Sequence, residues 1–260
     1  MKFAKKSLGQ NFLSDKNIIR KIINLINIKN KDVIEIGPGL GALTDEILKK
    51  KPKSLFVIEK DFLLVEKLKK KYIKNNNLKI FNDDILKFNI EKICKNKSII
   101  FGNLPYNISS QILVKILNFK KWTPKFTDLI LMFQKELGDK IIGKFSSSNY
   151  GRLSILSNYR LDVSNKFLVS PSCFFPKPKV NSLVIHFTPK KITPSIKYIK
   201  NLEKITNIFF SNKRKMINKN LKKLLKEKEI KKIKGINLNS RPSEIKPEIY
   251  YKITELLEKK

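Results

Sequence analysis

The sequence predicts an α/β protein with a mostly parallel sheet, an antiparallel edge and a small C-terminal helical domain. Short apolar runs alternate with segments long enough to hold crossover helices, a pattern typical of βαβ units. After Pro189 the strand-like runs end, and 190–260 shows helical spacing instead. The 260 residues, 41% of them hydrophobic, are enough for one large core and a small second unit. We therefore divide the chain into 1–189 and 190–260.

The first predicted element is an amphipathic helix from Lys16 to Ile28, capped by Ser14 or Asp15. Two late apolar runs, Arg152–Tyr159 and Val180–Phe187, have no obvious helix between them and predict an antiparallel pair at one sheet edge. Between these regions the sequence predicts five strands with crossover helices, at Val33–Ile36, Leu55–Ile58, Leu78–Phe81, Ile99–Phe101 and Leu129–Phe133.

The C-terminal segment 190–260 combines a helical apolar stripe with dense positive charge. Its 21 basic and 7 acidic residues leave +14 in 71 positions. On charge alone, a solvated helix face and a binding face fit equally well. The stripe consists of Ile217, Leu221, Leu224 and Leu225, with lysines on the other face.

The charge of the whole chain is +34, which favours a polyanionic partner such as nucleic acid. Only five of the 56 basic residues are arginine, while lysine, asparagine and isoleucine are abundant. Codon usage in an A+T-rich genome produces the same skew, so both explanations stay open.

Several classes of protein are excluded or disfavoured. No apolar stretch approaches the roughly 20 residues of a membrane span, and Met1–Lys6 lacks the apolar run of a secretory signal. We expect a soluble, cytoplasmic monomer without a membrane association. Cys94 and Cys173 are far apart, so we expect buried thiols and no metal site. The single histidine, His186, lies in an apolar run and is expected to be structural.

A glycine-rich turn follows the first predicted strand, with Gly37, Gly39 and Gly41 spaced as G-x-G-x-G. Glycines let the backbone approach a ligand closely, and the helix that follows presents free N–H groups. Glu59 ends the second strand, where a carboxylate can accept both ribose hydroxyls of an adenosine-containing cofactor. The acid before the turn, Glu35, suits a cationic ligand better than a pyrophosphate. This pattern resembles that of the class I methyltransferases that use S-adenosylmethionine.

The fourth strand runs into Asn103-Leu104-Pro105-Tyr106. If the Asn103 side-chain oxygen and the Leu104 carbonyl both accept hydrogen bonds from an aryl amine, the nitrogen lone pair turns towards a methyl donor. Pro105 fixes the turn, and Tyr106 offers an aromatic face for a base. An ordinary proline turn with a buried tyrosine is the alternative, but the position after a parallel strand favours an active site.

Phe174 precedes a stiff Pro176-Lys177-Pro178 segment. Its ring could belong to the core, with the segment acting as a linker into the next strand. We favour a functional interpretation, in which Phe174 clamps the target base opposite Tyr106.

Together these motifs resemble the ribosomal RNA adenine dimethyltransferases of the KsgA type. The resemblance covers nearly the whole chain and includes Gly9–Leu13, Tyr150–Ser154 and Leu238–Pro242. It implies that S-adenosylmethionine is used to dimethylate N6 of two adjacent adenosines near the 3′ end of small-subunit (16S-type) rRNA, in ribosome biogenesis.

The resemblance also implies roles for individual residues. Segment 1–30 would cap the cofactor site, with Asn11 and Leu13 in contact with the cofactor. Asn103 would lie between cofactor and target. Further implied contacts are Gly37 with the methionine part, Glu59 with the ribose, Asp84 with the adenine amine, and the cluster Lys213, Arg214 and Lys215 with RNA.

Two rival functions remain. The resistance-type dimethylases of large-subunit rRNA share the glycine turn and the tetrapeptide, but Tyr150–Ser154 and 213–215 favour the small-subunit type. A non-catalytic assembly or transcription factor on the same scaffold would be expected to lose the glycines or Asn103, and all of them are present.

Overall fold

The computed structural model describes residues 9–191 and 195–259. Its contacts divide the described chain into two compact units, one built on a sheet and one helical. The first eight residues of the predicted cap at 1–30 lie outside the described residues, as does Met1–Lys6. None of the helices in the described ranges is long and apolar enough to cross a membrane.

The first unit comprises 9–116, 123–138 and 162–189, and it is built on a seven-stranded sheet in the order β4-β3-β2-β5-β6-β9-β7. The strands β2 to β6 are parallel neighbours, and β9 pairs antiparallel with β6. This confirms the predicted parallel sheet with an antiparallel edge. The strand bounds are β2 Asp32–Ile36, β3 Ser54–Glu59, β4 Leu78–Asn82, β5 Ser98–Asn103, β6 Phe126–Gln134, β7 Leu161–Val169 and β9 Ser182–Pro189.

Two short strands, β1 at Phe12–Leu13 and β8 at Phe174–Phe175, form a separate antiparallel pair. Phe12 lies opposite Phe175, and Leu13 lies opposite Phe174. Since successive side chains on a strand point to opposite faces, each strand sends one side chain to the core. Leu13 and Phe174 belong to that core cluster.

Helices connect the parallel strands as predicted. The first, α1, begins after Asp15, whose carboxylate accepts from the N–H groups of Asn17 and Ile18, and it ends at Ile23 rather than at the predicted Ile28. The helices of this region are α1 Lys16–Ile23, α2 Ala42–Lys49, α3 Phe62–Lys71, α4 Ile90–Ile93, α5 Ser109–Leu117 and α6 Lys135–Ile141.

The second unit contains 117–122, 139–161 and the described residues from 190 onwards. It therefore takes in two segments that the prediction places before the boundary at 189. Within it, Arg152 pairs with Glu203 at 2.9 Å. Its helices are α7 Arg152–Arg160, α8 Ile199–Phe210, α9 Asn218–Leu224, α10 Glu227–Ile230 and α11 Pro247–Glu258.

The strand prediction at Arg152–Tyr159 is wrong, because this run forms helix α7. The buried side chains Ile155, Leu156 and Tyr159 recur at helical spacing. The Ser154 hydroxyl accepts from the Gly151 N–H at 2.9 Å, which caps the first turn. The strand beside β9 is instead β7, which starts directly after this helix.

The cysteines and the histidine have the structural roles that the sequence predicts. Cys94 and Cys173 are both free and buried. His186 on β9 is buried, and its Nε2 lies 2.7 Å from Asp128 Oδ1 on β6. This pair therefore joins two adjacent strands within the sheet.

Candidate active site

A cavity of about 660 Å³ opens where the parallel strands β2 to β5 end, at what we call the carboxyl edge of the sheet. Ligand sites of open α/β sheets lie at this edge. Ten of the predicted site residues line the cavity, namely Asn11, Leu13, Gly37, Gly39, Glu59, Asp84, Asn103, Leu104, Pro105 and Tyr106. Gly41 and Phe174 are not among its lining residues.

The glycine turn forms one wall of the cavity. Gly39 has a φ of +58°, and a Cβ added there would come within 2.8 Å of the Phe12 ring. Only glycine therefore fits between β1 and the cavity. Gly41 caps helix α2 with a φ of +85°, and an added Cβ would collide with the Tyr72 hydroxyl. Its role is thus to let the turn and helix pack, rather than to touch a ligand.

Glu59 ends β3 beside this turn. Its two carboxylate oxygens accept from the backbone N–H groups of Gly39, at 3.2 Å, and Asp61, at 2.9 Å. Burial raises the pKa of Glu59, and these N–H groups oppose that shift. A carboxylate oxygen has more than one acceptor site. The side chain is therefore held rigidly at the cavity wall with capacity left for ligand hydroxyls.

Glu35 also lines the cavity, but its chemistry differs from the expectation. The side chain is 1% exposed and accepts a hydrogen bond from Thr44 Oγ1 at 2.6 Å. Burial raises its pKa to about 8. Burial therefore favours the neutral form of Glu35 near pH 7, which weakens the negative charge expected beside the ligand.

Asp84 follows β4 at the cavity rim. Its carboxylate accepts from Lys60 Nζ at 2.9 Å and from the Leu86 N–H at 2.9 Å. The hydrogen bond from Lys60 lowers the pKa of Asp84, so the acid is ionised. Lys60, which no motif in the sequence indicates as a site residue, lines the cavity beside Asp84.

Asn103 lies at the end of β5, where its side chain is fixed by the N-terminal segment. Its Nδ2 donates to the Asn11 carbonyl at 3.0 Å. Because the nitrogen is engaged there, the side-chain oxygen Oδ1 is the group left to accept from a ligand. Within the part of the chain that the structure describes, no protein group donates to this oxygen. The hydrogen bond to Asn11 thus fixes which end of the Asn103 amide is engaged by the protein.

Of the two aromatic residues predicted to face the target base, Tyr106 lies at the cavity and Phe174 does not. Tyr106 lines it, with its hydroxyl 2.6 Å from Ser182 Oγ, and burial raises its pKa. The predicted clamp, Phe174, is 4% exposed and packs in the core, so it does not face a base in this structure. Its neighbour Phe175 is 55% exposed and lines the cavity. Strand alternation in the β1–β8 pair places the two rings on opposite faces.

The predicted RNA cluster at 213–215 lies in the second unit, between α8 and α9. Lys213, Arg214 and Lys215 are all exposed there. Exposure leaves their charges available to a partner.

The sequence matches the family described as "Ribosomal RNA adenine dimethylase" over residues 1–259. The chain belongs to that family. A relative from Pelagibacter ubique (strain HTCC1062), named ribosomal RNA small subunit methyltransferase A, is 50% identical over 97% of this chain and 96% of its own. The crystal structure of a dimethyladenosine transferase from Plasmodium falciparum has a TM-score of 0.74 at 26% identity, covering 93% of this chain and 95% of that one. The 23S rRNA methyltransferase ErmE shares the fold, with a TM-score of 0.68 at 21% identity over 95% of this chain and all of that one.

The cavity fits the cofactor of this family of methyltransferases, S-adenosylmethionine. Its volume lies within the range of small-molecule sites, about 300–1,000 Å³. The ionised Asp84 and the fixed Glu59 carboxyl provide acceptors for amine and hydroxyl groups. The fold and the chemistry of the side chains therefore agree with a class I methyltransferase.

Proposed function

We propose that this protein uses S-adenosylmethionine to dimethylate N6 of two adjacent adenosines near the 3′ end of small-subunit rRNA. The observation that carries the chemistry is the Asn103 amide, fixed through Nδ2 so that Oδ1 accepts. The choice of RNA rests on the relative named as a small-subunit methyltransferase, which is 50% identical. The likeness to ErmE extends to the fold only, so the large-subunit alternative is not favoured.

The side chains at the carboxyl edge bind and orient the reactants. Glu59 would hold the ribose hydroxyls and Asp84 the adenine amine, while Asn11, Leu13 and Gly37 close the site around the rest of the cofactor. When bound, S-adenosylmethionine supplies an electrophilic methyl group on a sulfonium centre.

Asn103 and Leu104 then act on the amine of the target adenosine. Its two N–H groups donate to Asn103 Oδ1 and to the Leu104 carbonyl, which draws the nitrogen towards a tetrahedral geometry. The lone pair leaves the purine ring and points at the methyl group. As the N–C bond forms, the methyl–sulfur bond would break and the donor would leave as a neutral thioether. The methylated nitrogen is cationic and strongly acidic, so it gives its proton to water without a strong general base. Positioning and electrostatics supply most of the acceleration.

Two aromatic rings offer faces to the target base. Tyr106 is held by its hydroxyl contact with Ser182, so the ring orientation is set before the base arrives. Phe175 presents an exposed ring at the same cavity. A base that is turned out of its helix would stack on such rings, each stack contributing about 1–3 kcal/mol.

The helical unit would bind the RNA outside the active site. The exposed cluster Lys213, Arg214 and Lys215 supports this role, because cations that displace counterions from phosphates supply sequence-independent affinity. We also propose that the enzyme works as a cytoplasmic monomer, because its proposed substrate, the small ribosomal subunit, is met in the cytoplasm and methyl transfer to one adenosine needs a single active site.

Primer extension on undermethylated small subunits tests this function. After incubation with protein and S-adenosylmethionine, we expect reverse transcription to stop at two adjacent adenosines near the rRNA 3′ end. The same reaction on large subunits should leave no new stop. A stop confined to large-subunit RNA, or none despite cofactor binding measured by calorimetry, would contradict the proposal.

A further inference from the structure

The opposite end of the sheet, which we call the amino edge, carries a row of lysines. The turns that precede β2, β3, β5 and β6 meet there, because those strands are parallel neighbours. All of these lysines are exposed and belong to the first unit. We define this lysine row as Lys29, Lys31, Lys51, Lys53, Lys95, Lys97 and Lys125.

Backbone hydrogen bonds hold the turns of the lysine row side by side. The N–H of Lys53 donates to the Lys31 carbonyl at 2.9 Å. The N–H of Asn30 donates to the Lys51 carbonyl at 3.1 Å. The N–H of Ser98 donates to the Lys125 carbonyl at 3.3 Å. Strands lie about 4.8 Å apart, so four strand ends span roughly 14 Å. Adjacent strand ends are therefore closer than one Debye length, about 8 Å at physiological salt, so the charges of neighbouring turns act together.

Little negative charge offsets the lysine row. The turns 28–31, 50–53, 94–97 and 124–125 contain no acidic residue. Asp32, the first residue of β2, is buried and accepts from Ser54 and from Lys95 Nζ, the latter at 3.2 Å. Lys53 also interacts with this carboxylate, and Lys31 interacts with the buried Asp128 on β6. Against these two carboxylates the seven lysines keep a positive surplus.

Two members of the row occupy backbone conformations that disfavour lysine. Lys51 has a φ of 53° and Lys97 a φ of 62°, in the left-handed region. Asparagine is several-fold enriched there, and Asn30 adopts the same region with a φ of 58°. A bias towards Lys, Asn and Ile codons supplies asparagine as well as lysine, and the chain contains 25 asparagines. Codon bias and backbone preference together would favour asparagine at positions 51 and 97. The presence of lysine at both positions therefore needs another explanation.

We propose that the lysine row is a second binding surface for the phosphate backbone of RNA. It lies at the other end of the strands from the active site, about 16 Å away along the five residues of β2. RNA that reaches the lysine row is therefore a different segment from the one that enters the cavity. The inference rests on the proposed function for its choice of RNA, and it requires a substrate large enough to reach both edges of the sheet.

Neutralising three lysines of the row tests the proposal. In Lys51→Asn/Lys53→Gln/Lys97→Asn the two asparagines suit their backbone conformations, so the variant should fold. We expect binding to undermethylated small subunits to weaken at least about tenfold near 0.15 M salt. The slope of log affinity against log salt should fall by about 2 to 3, since each lost phosphate contact removes roughly 0.7–0.9.

A matched control removes three exposed lysines elsewhere in the same unit, as Lys70→Gln/Lys79→Gln/Lys166→Gln. This control should change the salt slope by less than about 1. Both variants should bind S-adenosylmethionine like the parent protein. An unchanged slope in the test variant, or an equal loss in the control, would overturn the proposal in favour of diffuse charge.

Two further arms separate the possible causes. The triple variant should also bind protein-free small-subunit rRNA more weakly than the parent. If its binding is weakened only with protein-bearing subunits, the lysine row binds an acidic protein, and the RNA assignment is overturned. If the parent protein methylates neither RNA, the proposed function fails, while the comparison of salt slopes still decides whether the lysine row binds RNA.

Discussion

The carboxyl and amino edges of the parallel sheet carry opposite charge, although the same strands supply both. The turns 37–41, 60–61, 83–86 and 104–108 at the carboxyl edge hold three acidic residues and one cation, Lys60, which is paired with Asp84. Lys115 of α5 also reaches this edge, where it donates to the Leu86 carbonyl, so the edge keeps a small negative surplus. The amino edge holds the seven lysines of the lysine row. Although the net charge of the chain is +34, its lysines are therefore not evenly distributed over the first unit. The cationic cofactor and a polyanionic substrate call for opposite surfaces, and parallel strands give each its own edge.

The largest expected effect is a difference between the alanine variants of two neighbouring phenylalanines, Phe174 and Phe175. Phe174→Ala should lower the free energy of unfolding by about 3–5 kcal/mol, because the ring is buried in the core. Phe175→Ala should change it by less than about 0.5 kcal/mol, yet reduce kcat/KM for subunits by about 5- to 100-fold through the lost base stack. Urea unfolding and steady-state kinetics measure the two. Equal destabilisation by both substitutions would show that the β1–β8 pair does not divide core from cavity.

Glu35 gives the carboxyl edge a distinctive dependence of stability on pH. Its pKa is about 8 in the folded protein and near 4.5 when unfolded, so the folded state binds more protons between these values. Stability must therefore fall as pH rises through this window. Glu35→Gln should remove that part of the fall. The free energy of unfolding of the variant, measured relative to the parent, should therefore be a few kcal/mol higher at pH 9 than at pH 5.

The matched control for this titration is Glu66→Gln, at an exposed glutamate on α3. Thermal or urea unfolding at both pH values should show the parent's pH dependence in this variant. A parallel fall of stability in parent and Glu35→Gln would mean that Glu35 is already ionised at neutral pH, and the carboxyl edge would then be more acidic than the structure indicates.

The smallest expected effect lies at the amino edge. Lys51→Asn should raise the free energy of unfolding by a few tenths to about 1 kcal/mol, because asparagine tolerates the left-handed conformation better than lysine does. Lys50→Asn makes the same change of charge one residue earlier, where φ is −83°, and should bring no such gain. If the two variants were equally stable by urea unfolding, the backbone argument for lysine at position 51 would fail.

Much of the first unit could be predicted from the sequence, because buried parallel strands appear as short apolar runs between longer helical segments. All five predicted parallel strands are present. The Arg152–Tyr159 run was wrongly predicted as a strand, because over so short a length its apolar residues fit both the strand period of 2 and the helix period of 3.6. The helical capping contact from Gly151 to Ser154 decides between the two, and a sequence pattern shows it only weakly.

The candidate site was predictable where a residue type alone implies the chemistry, as for Gly39, Glu59 and Asn103. It was not predictable where long-range contacts set the outcome. The pairing of β1 with β8 decides which phenylalanine faces the cavity. Burial, rather than residue type, raises the pKa of Glu35. The Asn11 carbonyl that orients Asn103 lies 92 residues away in the chain.

The central claim is that Asn103 Oδ1 accepts from the target amine during methyl transfer, and single-turnover kinetics on bound subunits test it most directly. The control, Asn77→Ala, removes the same kind of contact at the amino edge, where the amide donates to the Pro52 carbonyl at 3.0 Å. We predict that Asn103→Ala retains subunit binding and slows transfer by at least about 10²-fold, while Asn77→Ala stays within about twofold of the parent. Near-parental turnover in Asn103→Ala would contradict the account.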